Sequence, residues 1–239
     1  QVRRIRLDQE ELPTDLNLDD FSGVIVGGGP GCVSDAPDDK SPLEARIESE
    51  VLSLMPAITE RDFPYLGCCY GIGILGKHLN GDVSKRAHGE PVGASACVVT
   101  VEGKDDPLLA GLPDQFDAFV GHKEALQSLP KGCIQLVRSD PCPFQMVRYG
   151  NNVYATQFHP EADAQGFETR INIYRHRGYF PPEAADDALV AAGHGITDLI
   201  KRPSARDEAS DAELTAGVGP LWQKIAIWRP AAVVFIYKR

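Results

Sequence analysis

The chain has 239 residues, of which 43% are hydrophobic, so it can bury one sizeable core and we expect one domain followed by a tail. Its formal net charge of −10 at pH 7 argues against a nucleic-acid-binding face. No apolar stretch approaches the roughly 18 residues of a membrane span, and nothing at the start resembles a signal peptide, so we expect no membrane partner.

The first eighty residues alternate between strands and helices, as is typical of α/β proteins. Three segments are predicted strands: residues 2–7, 23–26 and 63–66. Ser41 as the N-cap, Pro42 at the first helical position and Glu44 in a capping box predict a helix that runs to about Met55. A second helix is predicted over residues 70–79.

The second half of the chain favours short strands. These are predicted at residues 93–101, 117–120, 133–137, 144–149 and 153–158, with a helix over residues 164–177. Beyond it, a short helix begins at Pro181, and residues 202–219 have the polar, Gly- and Pro-spaced composition of a linker. We therefore divide the chain into a domain of residues 1–180 and a C-terminal helix and tail of residues 181–239, whose role is unknown.

The sequence GCCYG at residues 67–71 lies between a predicted strand and a predicted helix. A nucleophile on such a sharp turn needs small residues two positions to either side, and Cys69 has Gly67 and Gly71 there. At a helix N-terminus the pKa of a thiol falls, and the thiolate is the attacking form. The pattern favours Cys69 as a nucleophile over the alternative that it and Cys68 are buried apolar residues.

The sequence QFHPE at residues 157–161 closes the last predicted strand. If the chain stays extended through Pro160, His159 and Glu161 project to the same side. The carboxylate can then hold one imidazole nitrogen and leave the other to accept the thiol proton. A His-Pro-Glu triplet alone is more often a turn, but together with Cys69 it predicts a Cys-His-Glu triad.

Three further sequences match a known family: VIVGGGPG at residues 24–31, GHK at 121–123 and CPF at 142–144. With them the chain resembles the class I (triad) glutamine amidotransferases, and within that family the amidotransferase domain of GMP synthase. The resemblance covers roughly residues 2–177 and implies an α/β, flavodoxin-like three-layer sandwich with a mostly parallel central sheet. It also implies that Cys69 attacks the side-chain amide of L-glutamine, that ammonia leaves, and that water hydrolyses a γ-glutamyl thioester.

The resemblance further implies which residues contact the substrate. The backbone N–H groups of Gly29, in a loop with Gly28, and of Tyr70 would stabilise the oxyanion, because preorganised donors meet the developing negative charge. His122 matches a family segment near the active site, although a loop histidine is more often only solvated. Many members carry Gln four residues after the nucleophile, where this chain has Gly73, so substrate specificity stays open.

The chain also departs from the family at its start. Members begin with a strand and a helix before the segment that matches residues 2–7, and that unit is missing here, so we expect an incomplete chain that begins at Gln1. An ATP-pyrophosphatase motif of the type Ser-Gly-Gly-x-Asp-Ser is absent, so we expect that this chain alone does not synthesise GMP. The chain must then either release its ammonia or deliver it to a synthetase subunit. The six cysteines lack C-x-x-C spacing, so we expect no metal, no cofactor and a reducing, cytoplasmic location.

Two other functions remain open. A γ-glutamyl hydrolase or peptidase with the same triad is favoured by Gly73 and by the absence of an attached synthetase domain. The other is a non-catalytic regulatory or ligand-binding module, which the intact Cys69, His159 and Glu161 disfavour. Separately, G-x-G-x-x-G at residues 71–76, with Glu90 nineteen residues past Gly71, matches a dinucleotide-binding fingerprint. That interpretation leaves the triad unexplained, and a phosphate-binding P-loop fails at His78, where Ser or Thr must reach Mg²⁺.

Overall fold

The computed structural model describes residues 2–163, 166 and 167 of the chain. Its strands are β1 (Val24–Val26), β2 (Tyr65–Cys68), β3 (Val83–Ser84), β4 (Glu90–Val99), β5 (Gln115–His122), β6 (Ala125–Leu126), β7 (Cys133–Arg138), β8 (Met146–Tyr149) and β9 (Val153–Thr156). Its α-helices are α1 (Pro42–Glu60), α2 (Tyr70–His78) and α3 (Val101–Lys104). Short 3₁₀ turns lie at Leu18–Asp20, Pro37–Asp39 and Pro107–Leu109. No helix within these residues is both long and apolar enough to cross a membrane.

Seven strands form one mixed sheet in the order β1-β2-β9-β8-β7-β4-β5, and β3 pairs with β6 separately. β1, β2 and β9 run parallel, whereas the four remaining pairings of the large sheet are antiparallel. The sheet therefore has fewer parallel pairings than we expected. The reason is that short turns join β7, β8 and β9, and only antiparallel neighbours can be joined in this way.

Two hydrophobic clusters lie on opposite faces of the sheet. Val153 and Ala155 of β9 belong to the cluster that α1 and α2 cover, whereas Tyr154 between them belongs to the other cluster. All four residues of β9 are buried, because side chains alternate between the two faces of a strand and both faces are covered here. β9 is therefore held rigidly in the interior, next to β2.

The start of α1 confirms the capping box. The Ser41 hydroxyl accepts a hydrogen bond from the Glu44 N–H at 3.2 Å, and the Glu44 carboxylate accepts one from the Ser41 N–H at 2.9 Å. The helix continues past Met55 to Glu60 although Pro56 lies inside it. Proline removes one backbone donor, but the fully buried Met55 and Ile58 hold this stretch against the core.

Two strand predictions are wrong. Residues 2–7 form no strand, and Val2 is 94% exposed; three of these six residues are exposed arginines, whose charged groups favour solvent over a buried sheet position. Val101 begins α3 instead of ending β4, since the Thr100 hydroxyl caps the helix by accepting the Gly103 N–H at 3.0 Å. The helix predicted at residues 164–177 and the tail at 181–239 lie outside the described residues, apart from residues 166 and 167.

Candidate active site

Cys69 lies on the turn between β2 and α2. Its backbone has φ 53° and ψ −92°, a conformation that non-glycine residues rarely adopt and that costs about 1–3 kcal/mol. Its N–H donates a 2.7 Å hydrogen bond to the Thr156 carbonyl at the end of β9, which helps to hold the turn in this shape. Such strain persists only where the surroundings enforce it, and it is common at active sites.

Glycine is required on both sides of this turn. A Cβ at Gly67 would lie 2.7 Å from the backbone of Gly71 and 2.6 Å from the Tyr65 hydroxyl. A Cβ at Gly71 would lie 2.9 Å from the Val26 carbonyl oxygen of β1. The strand, the sharp turn and the helix thus have the geometry that the glycine spacing around Cys69 predicted.

His159 and Glu161 form a hydrogen-bonded pair just after β9. His159 Nδ1 and Glu161 Oε1 are 2.8 Å apart, and the side chain of His159 is 4% exposed whereas that of Glu161 is 37% exposed. If Nδ1 carries the proton it donates to the carboxylate, and Nε2 is then the acceptor nitrogen. The His159 N–H also donates to the Phe119 carbonyl of β5 at 2.9 Å. The Phe119 ring in turn stacks on Phe167 at 4.4 Å.

The GCCYG and QFHPE segments lie at the same end of the sheet, beyond the carboxyl ends of β2 and β9. β2 and β9 are parallel neighbours, and Cys68 is in register with Thr156. The residues that follow the two strands therefore leave from the same carboxyl end, which is where α/β folds place their ligands. The hydrogen bond from Cys69 to Thr156 joins the two segments directly.

The glycine loop, residues 27–31, follows the carboxyl end of β1. This end lies beside that of β2, because the two strands run parallel. It lines a groove of about 850 Å³, to which Gly28, Gly29 and Tyr70 contribute, whereas Cys69, His159 and Glu161 are not among the residues that line it. A Cβ at Gly29 would meet no atom of the described residues within 4 Å, so the loop backbone faces open space there. A side chain at Gly29 would therefore occupy space that the glycine leaves open beside the loop.

Tyr70 is the first residue of α2, and its side chain lies against the glycine loop. A Cβ at Gly31 would be 3.6 Å from Tyr70 Cε2. Burial is the largest cause that raises the pKa of the Tyr70 hydroxyl, and the negative charges of Glu48 and Glu124 raise it further. This side chain is therefore neutral at physiological pH. What Tyr70 can offer an oxyanion is its backbone N–H at the helix start.

His122 is buried, and both of its ring nitrogens contact protein groups. Nε2 is 2.8 Å from Glu90 Oε2, and Nδ1 is 2.9 Å from the Glu124 carbonyl. Burial acts to raise the pKa of Glu90, but hydrogen bonds from His122 and Ser95 outweigh it and lower that pKa. A direct contact of His122 with substrate stays a prediction, and its visible contacts are those of a buried polar network.

Cys142 adjoins this network. Possible ligand atoms of Glu90, His122 and Cys142 lie within 4.8 Å of one another, a set that the sequence analysis missed because the three residues share no motif. Such a set could in principle hold a metal ion. Burial raises the pKa of the Cys142 thiol to about 12.

The sequence analysis also missed Glu124, which lies beside Gly73. A Cβ at Gly73 would be 2.9 Å from Glu124 Oε1 and 3.2 Å from Val33 Cγ2. The Glu124 carboxylate accepts hydrogen bonds from the N–H groups of Val33 and Ser34, both at 2.9 Å. Only its position directly after the GHK sequence could have drawn attention to it.

A sheet with β1, β2 and β9 parallel, and with a strained cysteine between β2 and α2, defines an α/β protein with a strand-turn-helix site. Solved structures confirm the flavodoxin-like fold class. A glutamine amidotransferase of Thermotoga maritima superposes with a TM-score of 0.62 at 21% identity, covering 90% of this chain and 81% of that one. A glutamine amidotransferase of Methylobacillus flagellatus gives a TM-score of 0.60 at 18% identity, covering 98% and 87%.

The chain belongs to the class I glutamine amidotransferase family, whose model, Glutamine amidotransferase class-I, matches residues 1–173. Among its relatives are GMP synthases. The glutamine-hydrolyzing GMP synthase of Thermosipho africanus is 30% identical over 182 residues, which are 71% of this chain and 31% of that protein. One subunit of the glutamine-hydrolyzing GMP synthase of Archaeoglobus fulgidus is 28% identical over 160 residues, which are 66% of this chain and 75% of that subunit. This chain thus spans less than half of the longer GMP synthases that it matches, 24% to 40% of their length.

Proposed function

We propose that this chain hydrolyses L-glutamine to glutamate and ammonia through a γ-glutamyl thioester on Cys69. The observation that carries the proposal is the strained backbone of Cys69 at the edge where His159 and Glu161 follow β9. Membership of the class I family supports it. The proposal gives each of the three side chains a separate part in the reaction.

In the first half of the reaction, His159 accepts the thiol proton and the Cys69 thiolate attacks the side-chain carbonyl carbon of glutamine. A C–S bond forms, and the carbonyl oxygen becomes negatively charged. When this intermediate collapses, the C–N bond breaks, His159 returns the proton to the leaving nitrogen, and ammonia departs. Glu161 holds His159 Nδ1 and stabilises the imidazolium that forms in between.

In the second half, His159 accepts a proton from water, and the resulting hydroxide attacks the thioester carbon. The C–S bond breaks, glutamate leaves, and the proton returns to the Cys69 sulfur. In both halves the backbone N–H groups of Tyr70 and Gly29 would stabilise the oxyanion. Donors at a helix start and in a glycine loop suit this task, because no side chain there blocks the approach of the oxygen.

We further propose that the ammonia passes to a synthetase partner. Among the relatives, the Archaeoglobus fulgidus protein is named as one subunit of a GMP synthase, and its match to this chain covers 75% of its length. A partner that docks beside the glycine loop could complete the oxyanion site, since glycine makes a backbone rearrangement inexpensive. Slow hydrolysis of glutamine by this chain alone, and faster hydrolysis after addition of a cognate synthetase, is the expected result. Equal rates with and without it would contradict the partnership.

A second candidate is a γ-glutamyl hydrolase or peptidase with the same triad. The observation that favours it is Gly73, which has no side chain to hold the amino-acid end of free glutamine, and whose Cβ position faces Glu124 and Val33. A substrate with a peptide bond at the γ-carboxyl would react through the same thioester. Its leaving group would be an amine instead of ammonia.

The test is a side-by-side assay of the full chain with L-glutamine and with γ-glutamyl peptides. Ammonia release from glutamine by the natural chain and by Cys68→Ser, with loss of activity in Cys69→Ser, supports the amidotransferase proposal. Rapid turnover of γ-glutamyl peptides with little ammonia from glutamine supports the hydrolase. Activity that survives in Cys69→Ser on either substrate contradicts both.

A further inference from the structure

The two residues after Cys32, Val33 and Ser34, are fixed by one carboxylate that lies far away in the sequence. Glu124 accepts the Val33 N–H with Oε1 at 2.9 Å, and it accepts the Ser34 N–H and hydroxyl with Oε2 at 2.9 and 2.7 Å. Val33 and Glu124 are both buried. Three hydrogen bonds to one buried, charged acceptor make a strong and directional attachment.

The carbonyl of Val33 is held from the other side by two lysines. Lys40 Nζ and Lys77 Nζ each donate to it at 3.2 Å. Both ammonium groups also contact Glu48, at 2.5 and 2.6 Å, so a third side chain keeps them in place. The backbone of Val33 is thus fixed at its N–H and at its C=O by side chains from different parts of the chain.

The position of Glu124 depends on Gly73. Gly73 lies one helical turn after Cys69, on the same face of α2, and a Cβ there would come within 2.9 Å of the carboxylate. A side chain at this position would push Glu124 away from Val33 or displace Val33 itself. Gly73, which departs from the common family pattern, therefore makes room for the attachment.

The glycine loop has few other supports. β1 holds its first end through pairing with β2. A Cβ at Gly27 or at Gly29 would meet no atom of the described residues within 4 Å, whereas a Cβ at Gly31 would lie 3.6 Å from Tyr70 Cε2 and 3.8 Å from Glu44 Cγ. Its second end leads directly into Val33 and Ser34. The attachment to Glu124 is therefore placed to set where the loop N–H groups point.

We infer that Glu124 is a positioning residue: it anchors Val33 and Ser34, and through them it orients the glycine loop whose N–H groups stabilise the oxyanion. The inference rests on the function proposed above. Glu124 acts through the loop backbone and not on the substrate. Because oxyanion stabilisation operates in the transition state, loss of the anchor lowers kcat and leaves KM nearly unchanged.

The test combines Glu124→Ala, which removes the acceptor, with Gly73→Ala, which crowds it. Gly93→Ala is the matched control, because Gly93 lies in β4 and a Cβ there would meet no described atom within 4 Å. Both test variants should lower kcat for glutamine about 10- to 100-fold, the factor expected from losing a hydrogen bond to a charged group. KM should change less than about threefold. Gly93→Ala should match the natural chain.

Hydrogen exchange of the Val33 and Ser34 amides gives a second readout that does not depend on activity. Exchange should be faster in both test variants and unchanged in Gly93→Ala, because only the test variants release the two N–H groups. If the natural chain proves inactive on glutamine, the proposed function fails while this measurement still decides the anchor. Unchanged exchange in Glu124→Ala would overturn the anchor.

Two further outcomes separate positioning from other roles. A rise in KM at constant kcat would mean that Glu124 contacts the substrate, and it would overturn the inference. If Glu124→Ala does not fold, as judged by circular dichroism, Ser34→Ala replaces it. That variant keeps the carboxylate and removes only the 2.7 Å hydroxyl bond, so a smaller fall in kcat in the same direction is expected. An unchanged kcat in a folded Ser34→Ala and a folded Gly73→Ala would overturn the inference.

Discussion

The strain at Cys69 can be measured by comparing Ala with Gly at two neighbouring positions. Cys69 has φ 53°, a value that glycine adopts without cost, whereas Cys68 ends β2 and is not among the positive-φ residues. Both side chains are buried. The four variants Cys68→Ala, Cys68→Gly, Cys69→Ala and Cys69→Gly therefore separate backbone strain from the loss of buried side-chain area.

At residue 68 the step from Ala to Gly should destabilise the chain by about 0.5–1 kcal/mol, because glycine gains more freedom in the unfolded state. At residue 69 the same step should stabilise it by about 1–2 kcal/mol, because the positive φ penalises any Cβ. The two steps should thus differ in sign and by about 1.5–3 kcal/mol. For a domain of this size each kcal/mol corresponds to about 2–4 °C in Tm.

Urea denaturation of the full-length variants measures the free energy of unfolding, and equal m-values show that the unfolded states are comparable. Both Cys69 variants should be inactive on glutamine whatever their stability. Destabilisation of the same size by the Ala-to-Gly step at both positions would refute the argument. It would mean that the backbone of Cys69 is not strained in solution.

Three further predictions concern the site and its surroundings. A glutamine-like electrophile should label Cys69 stoichiometrically and spare Cys68, and peptide mapping that finds the label on Cys68 or on all six thiols would contradict the assignment. His159→Ala should lower turnover by several orders of magnitude with the fold intact, whereas Glu161→Ala should lower it less, because water can partly replace a carboxylate that is 37% exposed; equal and negligible losses would make the pair structural. Glu90 has a pKa below its ordinary value of 4.5, so the stability that its ionised form contributes is present above that value and is lost as the pH falls through the lowered pKa. The difference in unfolding free energy between the natural chain and Glu90→Gln should therefore be full at neutral pH and shrink below about pH 4, and a difference independent of pH would contradict it.

Features that depend on a few adjacent residues could be predicted from the sequence. The capping box at Ser41 and Glu44 and the glycines around Cys69 are of this kind, because each signal acts within four or five residues. The strand predicted at residues 2–7 failed for a different reason. Three of these six residues are arginines, whose charged groups favour solvent over a buried sheet position.

The same limit applies to the candidate site. Its two motifs could be predicted, and the parallel pairing of β2 with β9 supplied the geometry that joins them. Gly73 could be recognised as a departure from the family pattern, but the group that uses its empty space lies 51 residues further along the chain at Glu124. The pair of Glu90 and His122 is likewise 32 residues apart and depends on how β4 aligns with β5. Long-range register of this kind is not encoded in any single segment.

The hydrogen bond from the His159 N–H to the Phe119 carbonyl joins the segment after β9 to β5, the strand at the far end of the sheet order. The sharp turn at Cys69 needs the early units β1, α1, β2 and α2, and in addition the contact with Thr156. Correct placement of His159 needs the antiparallel half of the sheet as well, so it depends on strands from both halves, whose contacts are distant in sequence and form slowly. We therefore expect activity to return during refolding only when the last step of domain assembly is complete. It should return later than the helices become buried.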